Sequence, residues 1–428
     1  MIFDVTFYRK PKNWIWLILI FDLFYKSIIN FLHLPDAIVY FNDFACLVIL
    51  HALIMHYRRF SSLGKASLQL VVVSAIFCET IISYCINIYS PLTYLWGFRI
   101  LFRFIVFFFG CTVYVNQKMI DSYFKMAYII LLFSVPFATI QRLLGYDLDS
   151  VSAFFSEGKN KIGGSAGINI FMCIICTYYI VCTLNKTCPM YKLLTSVLPC
   201  AYIAAIAELK IFYVELLIII FLAVMFTDYS VKKMVGAGIS FLIIVIGIQI
   251  YNFYYGDRNS LNLASMLDYA GANGRSYGTS YSLNRLTAIP YVWKNILTDI
   301  PTKLFGLGIG YADNISSSFF RSNFMNKHGD LGIHLWGMSL ELTNIGLIGI
   351  LLYLLFFISI FIYACRKEKQ NKDYKVYCVI TKIMIVLTFV TLFYNTSLIL
   401  DISAPFIFFV LAIPFTLKTI EGKNNGKY

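Results

Sequence analysis

The chain has 428 residues, of which 59% are hydrophobic, 18% aromatic and only 13% charged. A soluble protein would carry about a quarter charged residues, so the composition excludes an ordinary soluble domain and predicts an integral membrane protein. The formal net charge of +13 is typical of basic cytoplasmic loops in such a protein rather than of nucleic-acid binding.

We predict an all-α fold with about twelve transmembrane helices. Apolar runs of about 20 residues are long enough to cross a bilayer. Such runs occur at approximately 14–33, 36–56, 66–89, 92–116, 122–144, 166–185, 190–208, 211–228, 234–253, 333–364, 376–399 and 403–419. The first run lacks a small-residue cleavage site, so we expect a span there and no cleavable signal peptide.

Basic residues mark alternate loops, which predicts that both termini are cytoplasmic. The chain then divides into an N-terminal bundle of about nine spans (1–253), an extracytoplasmic loop (254–332), and about three C-terminal spans with a tail (333–428). The basic positions on the cytoplasmic side are Arg9, Lys10, Lys12, Arg58, Arg59, Lys65, Lys118, Lys125, Lys186, Lys192, Lys232, Lys233, the run "CRKEKQNKDYK", Lys423 and Lys427.

Two arginines lie inside the fourth predicted span. Arg99 and Arg103 of "WGFRILFRFIVFFFG" are four residues apart and share a helix face. A cation within the bilayer is costly and marks a ligand or an ion partner. The pair therefore either binds an anionic ligand or pairs with acids of other spans, for which Asp22, Glu79 and Glu215 are available.

The junction of the seventh and eighth spans carries Glu208 and Lys210. These two residues form either a tight charged turn or part of a site on the outer face. The eleven cysteines include one CxxC pair, Cys173 and Cys176, within an apolar run. We expect no disulfide framework and no metal site.

The long loop contains an apolar pattern at helical spacing from Leu283 to Ile300, which predicts an amphipathic helix. Pro290 should bend this helix and Pro301 should end it near Asp299. Its apolar face either lies in the membrane interface or packs on the transmembrane bundle.

The segment "LFGLGIGYADN" follows, with Gly306, Gly308 and Gly310 alternating with apolar residues. A dinucleotide fingerprint requires GxGxxG between a strand and a helix, so a nucleotide site is not expected. The glycines either shape the chain against the bundle or bring their N–H groups to a phosphate.

The tenth apolar run, 333–364, is longer than a bilayer requires. His334 and Glu341 therefore lie in an extracytoplasmic extension or a re-entrant turn. They are seven residues apart, share a helix face and are placed to line one cavity. His334 is either a packed polar residue or a functional one, whereas His328 is expected to be a solvated loop residue.

These features resemble the O-antigen polymerase and O-antigen ligase superfamily, which comprises Wzy-type polymerases and WaaL-like ligases. The resemblance covers most of the topology and is densest between Gly271 and Tyr353. The matching positions are Arg285, Trp293, Phe305, Gly306, Gly308 and Gly310, then His334, Gly346 and Gly349, with "KIGGSAGIN" and "AELKIFYVELL" earlier in the chain.

The resemblance implies a glycosyltransferase of the bacterial plasma membrane that polymerises undecaprenyl-diphosphate-linked repeat units outside the cytoplasm, without metal, nucleotide or cofactor. His334, Glu341 or Glu208 would act as the general base. Arg285, Arg275, Arg99, Arg103 and Lys210 would bind the diphosphate. Membrane lipids, a chain-length regulator and a flippase are the implied partners. The alternatives are an O-antigen ligase and a flippase for the same lipid-linked unit.

Overall fold

The computed structural model describes residues 10–56, 64–159, 163–227, 282–315, 317 and 319–417. Within these ranges the chain is all-helical, as predicted, and no strand occurs. The predicted ninth span (234–253), the first part of the long loop with Arg275, and the last eleven residues lie outside the described residues.

Apart from three short helices in the long loop, the α-helices of the described residues coincide with predicted spans. They are α1 (Pro11–Leu32), α2 (Phe41–His56), α3 (Ser67–Asn87), α4 (Pro91–Tyr114), α5 (Gln117–Leu143), α6 (Ser165–Leu184), α7 (Met190–Ile206), α8 (Lys210–Phe226), α9 (Arg285–Tyr291), α10 (Ile300–Phe305), α11 (Asn323–His328), α12 (Gly337–Gln370), α13 (Lys375–Tyr394) and α14 (Ala404–Thr416).

In the described part of the chain, eight helices are long and apolar enough to cross a membrane, namely α1 to α6, α12 and α13, where α2 reaches this length together with the 3-10 turn before it, as Ala37–Met55. The helices α7, α8 and α14 coincide with predicted spans but have only 17, 17 and 13 residues. The chain is therefore a multi-pass α-helical membrane protein, and the count of twelve spans stays a prediction.

The centre of the bundle is formed by helices that are apolar on all sides. Nearly every residue of α14 is buried, and α14 packs chiefly against α4 and α13. The long helix α12 packs against α13 on one side and α3 on another. Many large apolar side chains face outward, among them Phe133, Phe221 and Leu351, as expected of lipid-exposed helices.

The predicted amphipathic helix from Leu283 to Ile300 is not one continuous helix. Asn284 caps α9, and a π-helical turn, Val292–Ile296, follows directly. Pro290 lies inside α9, where it donates no backbone hydrogen bond. Pro301 was expected to end the helix, but it lies in the first turn of α10, which Asp299 caps. That position suits proline because the first helical N–H groups have no intrahelical acceptor.

The predicted tenth span also begins differently. His334 lies in a separate 3-10 turn, Ile333–Leu335, and α12 starts only at Gly337. His334 and Glu341 therefore do not share one helix, and the expected common face was wrong. A second difference lies inside α12, where Gly346 has φ 62° and ψ −165° and interrupts the helix.

Candidate functional site

The segment "LFGLGIGYADN" lies against the break in α12. A break at Gly346 removes the usual helical donors from the preceding carbonyl groups. The N–H of Leu307 donates to the Thr343 carbonyl at 2.7 Å, and the N–H of Gly308 donates to the Asn344 carbonyl at 3.0 Å. The N–H groups of Leu307 and Gly308 are thus bonded within the protein and are not free to bind a phosphate.

The three glycines of this segment all have positive φ values of 70°, 110° and 81°, which glycine adopts without strain. A Cβ on Gly306 would meet the Asn344 carbonyl, and one on Gly308 would meet the Tyr89 ring. A Cβ on Gly310 would meet the backbone of α4 at Gly97. The glycines therefore let this segment pack directly on α4 and α12.

Beside this segment lies a cavity of about 430 Å³, within the usual size range of small-ligand sites. One wall is the connection between α3 and α4, with Asn87 and Tyr89, and the other is the loop, with Tyr311, Arg321 and Asn323. From here on, we refer to it as the cavity. Its lining combines aromatic rings, amides, hydroxyls and one guanidinium group.

The walls of the cavity are joined by hydrogen bonds that cross between loop and helices. The Tyr89 hydroxyl donates to the Ile309 carbonyl at 2.9 Å. The Asn87 amide donates to the Gly306 carbonyl at 3.0 Å, and the Thr93 hydroxyl donates to the Phe320 carbonyl at 3.0 Å. The cavity is therefore built from parts of the chain more than 200 residues apart.

His334 lies in the 3-10 turn before α12 and interacts electrostatically with Arg321 of the cavity wall. Burial, and secondly the positive charge of Arg321, lower the pKa of His334 below its ordinary value of 6.5. Its Nε2 is 3.4 Å from the amide nitrogen of Asn314, and its buried Nδ1 has no hydrogen-bond partner among the described residues. The imidazole is therefore neutral near pH 7 and is able to accept a proton.

Glu341 is buried in the first part of α12 and interacts electrostatically with Asp313 of the loop. Burial raises the pKa of Asp313 to about 6, although a hydrogen bond from Asn344 at 3.0 Å opposes this shift. The other side of the Asn344 amide accepts the N–H of Ala312 at 3.0 Å. Asn344 thus ties the loop to α12 just before the break.

Arg99 and Arg103, predicted to bind diphosphate or to pair with acids, lie in a buried ion-pair network. Arg99 is 2.8 Å from Asp43, and Arg103 is 3.3 Å from Asp43 and 3.0 Å from Asp401. Asn42 donates to Asp401 and to Asp22, at 3.0 and 2.6 Å.

Of the three acids expected as partners, only Asp22 joins this network, and it does so through Asn42. Glu215 accepts hydrogen bonds from Asn169 at 2.7 Å and Cys173 at 3.2 Å, and Glu79 lies on α3 facing Glu341. The direct partners, Asp43 and Asp401, were missed because they stand near span ends in the sequence.

Arg285 packs its guanidinium between two aromatic rings. Its Cζ lies 3.7 Å from the ring centroid of Tyr394 and 4.6 Å from that of Trp336. The Nε donates to the Tyr394 carbonyl at 3.1 Å. This arrangement anchors α9 to the end of α13.

Glu208 and Lys210 lie in the turn between α7 and α8 and form an ion pair at 3.2 Å. Glu208 has a φ of 54°, as expected of a tight turn. These helices pack mainly against α5, α6 and α13. Neither residue lines the cavity.

The residues that sequence reasoning missed are Arg321, Tyr89, Tyr311 and Asn87. Arg321 stands in the polar stretch "SSSFFRSNFMNKHGD", where an arginine directly after two phenylalanines is the signal that sequence reasoning could have used. No family model matches this chain, and no curated protein matches its sequence.

Proposed function

We propose that this protein is a polysaccharide polymerase, which transfers a growing glycan from a lipid diphosphate to the sugar of a second lipid-linked repeat unit. The lipid would be undecaprenyl diphosphate, and the reaction would occur at the outer face of the bacterial plasma membrane. The cavity is the observation that carries this proposal, because Arg321 lines it at one end of a multi-pass bundle and the neutral His334 interacts electrostatically with Arg321.

The lining of the cavity suits a glycan. The rings of Tyr89 and Tyr311, whose centroids are 5.4 Å apart, present apolar faces on which the C–H groups of a sugar can pack. The amide of Asn323 is both donor and acceptor and so complements sugar hydroxyls. The guanidinium of Arg321 can hold a phosphate oxygen pair by two parallel hydrogen bonds.

In the proposed reaction, an acceptor hydroxyl attacks the anomeric carbon of the donor glycan. A new C–O bond forms, the bond from that carbon to the phosphate oxygen breaks, and the diphosphate leaves on its lipid. His334 accepts the hydroxyl proton as general base. Arg321 stabilises the negative charge that develops on the leaving diphosphate. The energy for transfer resides in the bond between the glycan and the diphosphate, which breaks in this step, so the step uses no nucleotide.

The first test is complementation of a deletion strain with Arg321→Ala and His334→Ala variants, followed by gel analysis of surface polysaccharide. We expect each variant to reduce polymer by about a hundredfold or more, the usual effect of removing a general base or an anion-stabilising group. Lys327→Ala, an exposed position in the neighbouring helix α11, is the matched control and should leave the ladder intact.

The glycan that accumulates in the deletion strain separates the related functions. Single repeat units on the lipid at the outer leaflet support a polymerase, whereas long lipid-linked polymer without transfer to lipid A indicates a ligase. Repeat units retained at the inner leaflet indicate a flippase. Normal ladders from both Arg321→Ala and His334→Ala would overturn the site assignment.

A further inference from the structure

Glu79 of α3 is a buried acid that the proposed reaction does not use. Its side chain is only 3% exposed. Both of its carboxyl oxygens are buried and lack a hydrogen-bond partner among the described residues, and the same holds for the hydroxyl of Ser83 one turn closer to the cavity. Polar atoms buried without partners are rare in folded proteins and point to something that satisfies them.

Glu79 interacts electrostatically with a second buried acid, Glu341 of α12, the helix that packs against α3. Glu341 is 5% exposed and interacts in turn with Asp313 of the loop. No ion pair in the described part of the chain joins a lysine or arginine to any of these three carboxyl groups.

The segments packed around these three acids carry other titratable groups. Tyr353 of α12 interacts with Glu341. Tyr89, which lines the cavity, interacts with both Asp313 and Glu79. Helix α10 also packs on α3, but its one cation, Lys303, lies 5.3 Å from the Trp293 ring centroid.

Two neighbouring carboxyl groups in a medium of low dielectric constant cannot both be ionised without a large free-energy cost. A single proton on either carboxyl group removes one of the two charges. We propose that Glu79 and Glu341 form a proton-binding site in the membrane that exchanges its proton with the cavity by way of Asp313.

The site has a direct consequence for the cavity wall. When Glu79 and Glu341 hold one proton between them, one negative charge remains beside Asp313; when that proton leaves, two remain. The second charge repels Asp313, whose segment contacts α12 through Asn344. Asp313, with its pKa of about 6, is suited to relay a proton near neutral pH. This inference is independent of the proposed function.

Infrared spectroscopy of the purified full-length protein in lipid nanodiscs tests the site. The carbonyl stretch of a protonated carboxylic acid is distinct from that of a carboxylate and shifts in D₂O. We expect the wild type to show such a band at pH 7. Glu79→Gln and Glu341→Gln should each remove or displace the same band, because one proton is shared.

Two control variants assign the remaining signals. Glu215→Gln locates any band from the other buried glutamate, which has its own donors. Glu368→Gln, which removes an ion pair with Lys382 at 2.6 Å, should leave the band unchanged. Separate bands lost independently in Glu79→Gln and Glu341→Gln, or an unchanged spectrum in both folded variants, would overturn the shared site. Neither result depends on polysaccharide synthesis.

Discussion

Gly97 of α4 and Gly310 of the loop lie with their backbones in direct contact, since a Cβ on either would meet main-chain atoms of the other. Gly97 has an ordinary helical conformation, so a glycine is needed there only because a side chain would not fit against Gly310. Gly310 requires both space and a positive φ. Gly97 is therefore the residue at which close packing can be tested apart from backbone strain.

We expect Gly97→Ala to destabilise the protein by about 1–3 kcal/mol, because a methyl group inserted into a closed contact forces neighbouring backbone to move. Thermal unfolding in detergent would show this as a lower midpoint. Gly64→Ala is the control, since a Cβ at Gly64 has no atom within 4 Å. Equal midpoints for the two variants would contradict the close contact.

Among the helices, α2 and α4 are joined through charges to the segment that precedes α14. Arg103 is 8% exposed and bonds Asp43 of α2, Asp401 and the carbonyl of Ile399. Removing one partner from such a buried network leaves uncompensated charge, which costs more free energy than the network itself contributes.

Arg103→Gln should accordingly lower the free energy of unfolding by about 3–5 kcal/mol, measured by denaturation in mixed micelles. Adding Asp401→Asn should recover part of this loss, because the double variant buries one fewer unpaired carboxylate. The exposed Arg366 is the matched control, and Arg366→Gln should have little effect. Strictly additive losses for Arg103→Gln and Asp401→Asn would argue against direct coupling.

The positions of the helices were predictable because an apolar run of bilayer length has few alternatives to a helix. The partners of the arginines were not, since Asp401 is 298 residues from Arg103 and no local pattern connects them. The break at Gly346 was equally hidden, because its N-terminal carbonyls are satisfied by Leu307 and Gly308 from another segment.

On the scale of the whole molecule, the cavity forms where the loop covers one end of the bundle. Its walls come from the end of α3 with the turn after it, from Leu307 and Tyr311, and from residues 321–323, so only the folded chain brings Asn87, Tyr89 and Arg321 together. His334, one of the residues predicted for the site, interacts electrostatically with Arg321 of the cavity wall. The opposite end of α12 carries the exposed Arg366 and Lys369.

Because the cavity and the basic residues Arg366 and Lys369 lie at opposite ends of α12, the orientation of the protein in the membrane can be tested. Basic residues remain preferentially on the cytoplasmic side of a membrane, so the end of α12 at Lys369 should be cytoplasmic and the end with the cavity should be external. In a background without native cysteines, Lys327→Cys should react with a membrane-impermeant maleimide in intact cells. Lys369→Cys, equally exposed, should react only after permeabilisation. The reverse pattern would place the cavity in the cytoplasm, where a polymerase acting on externalised repeat units could not use it.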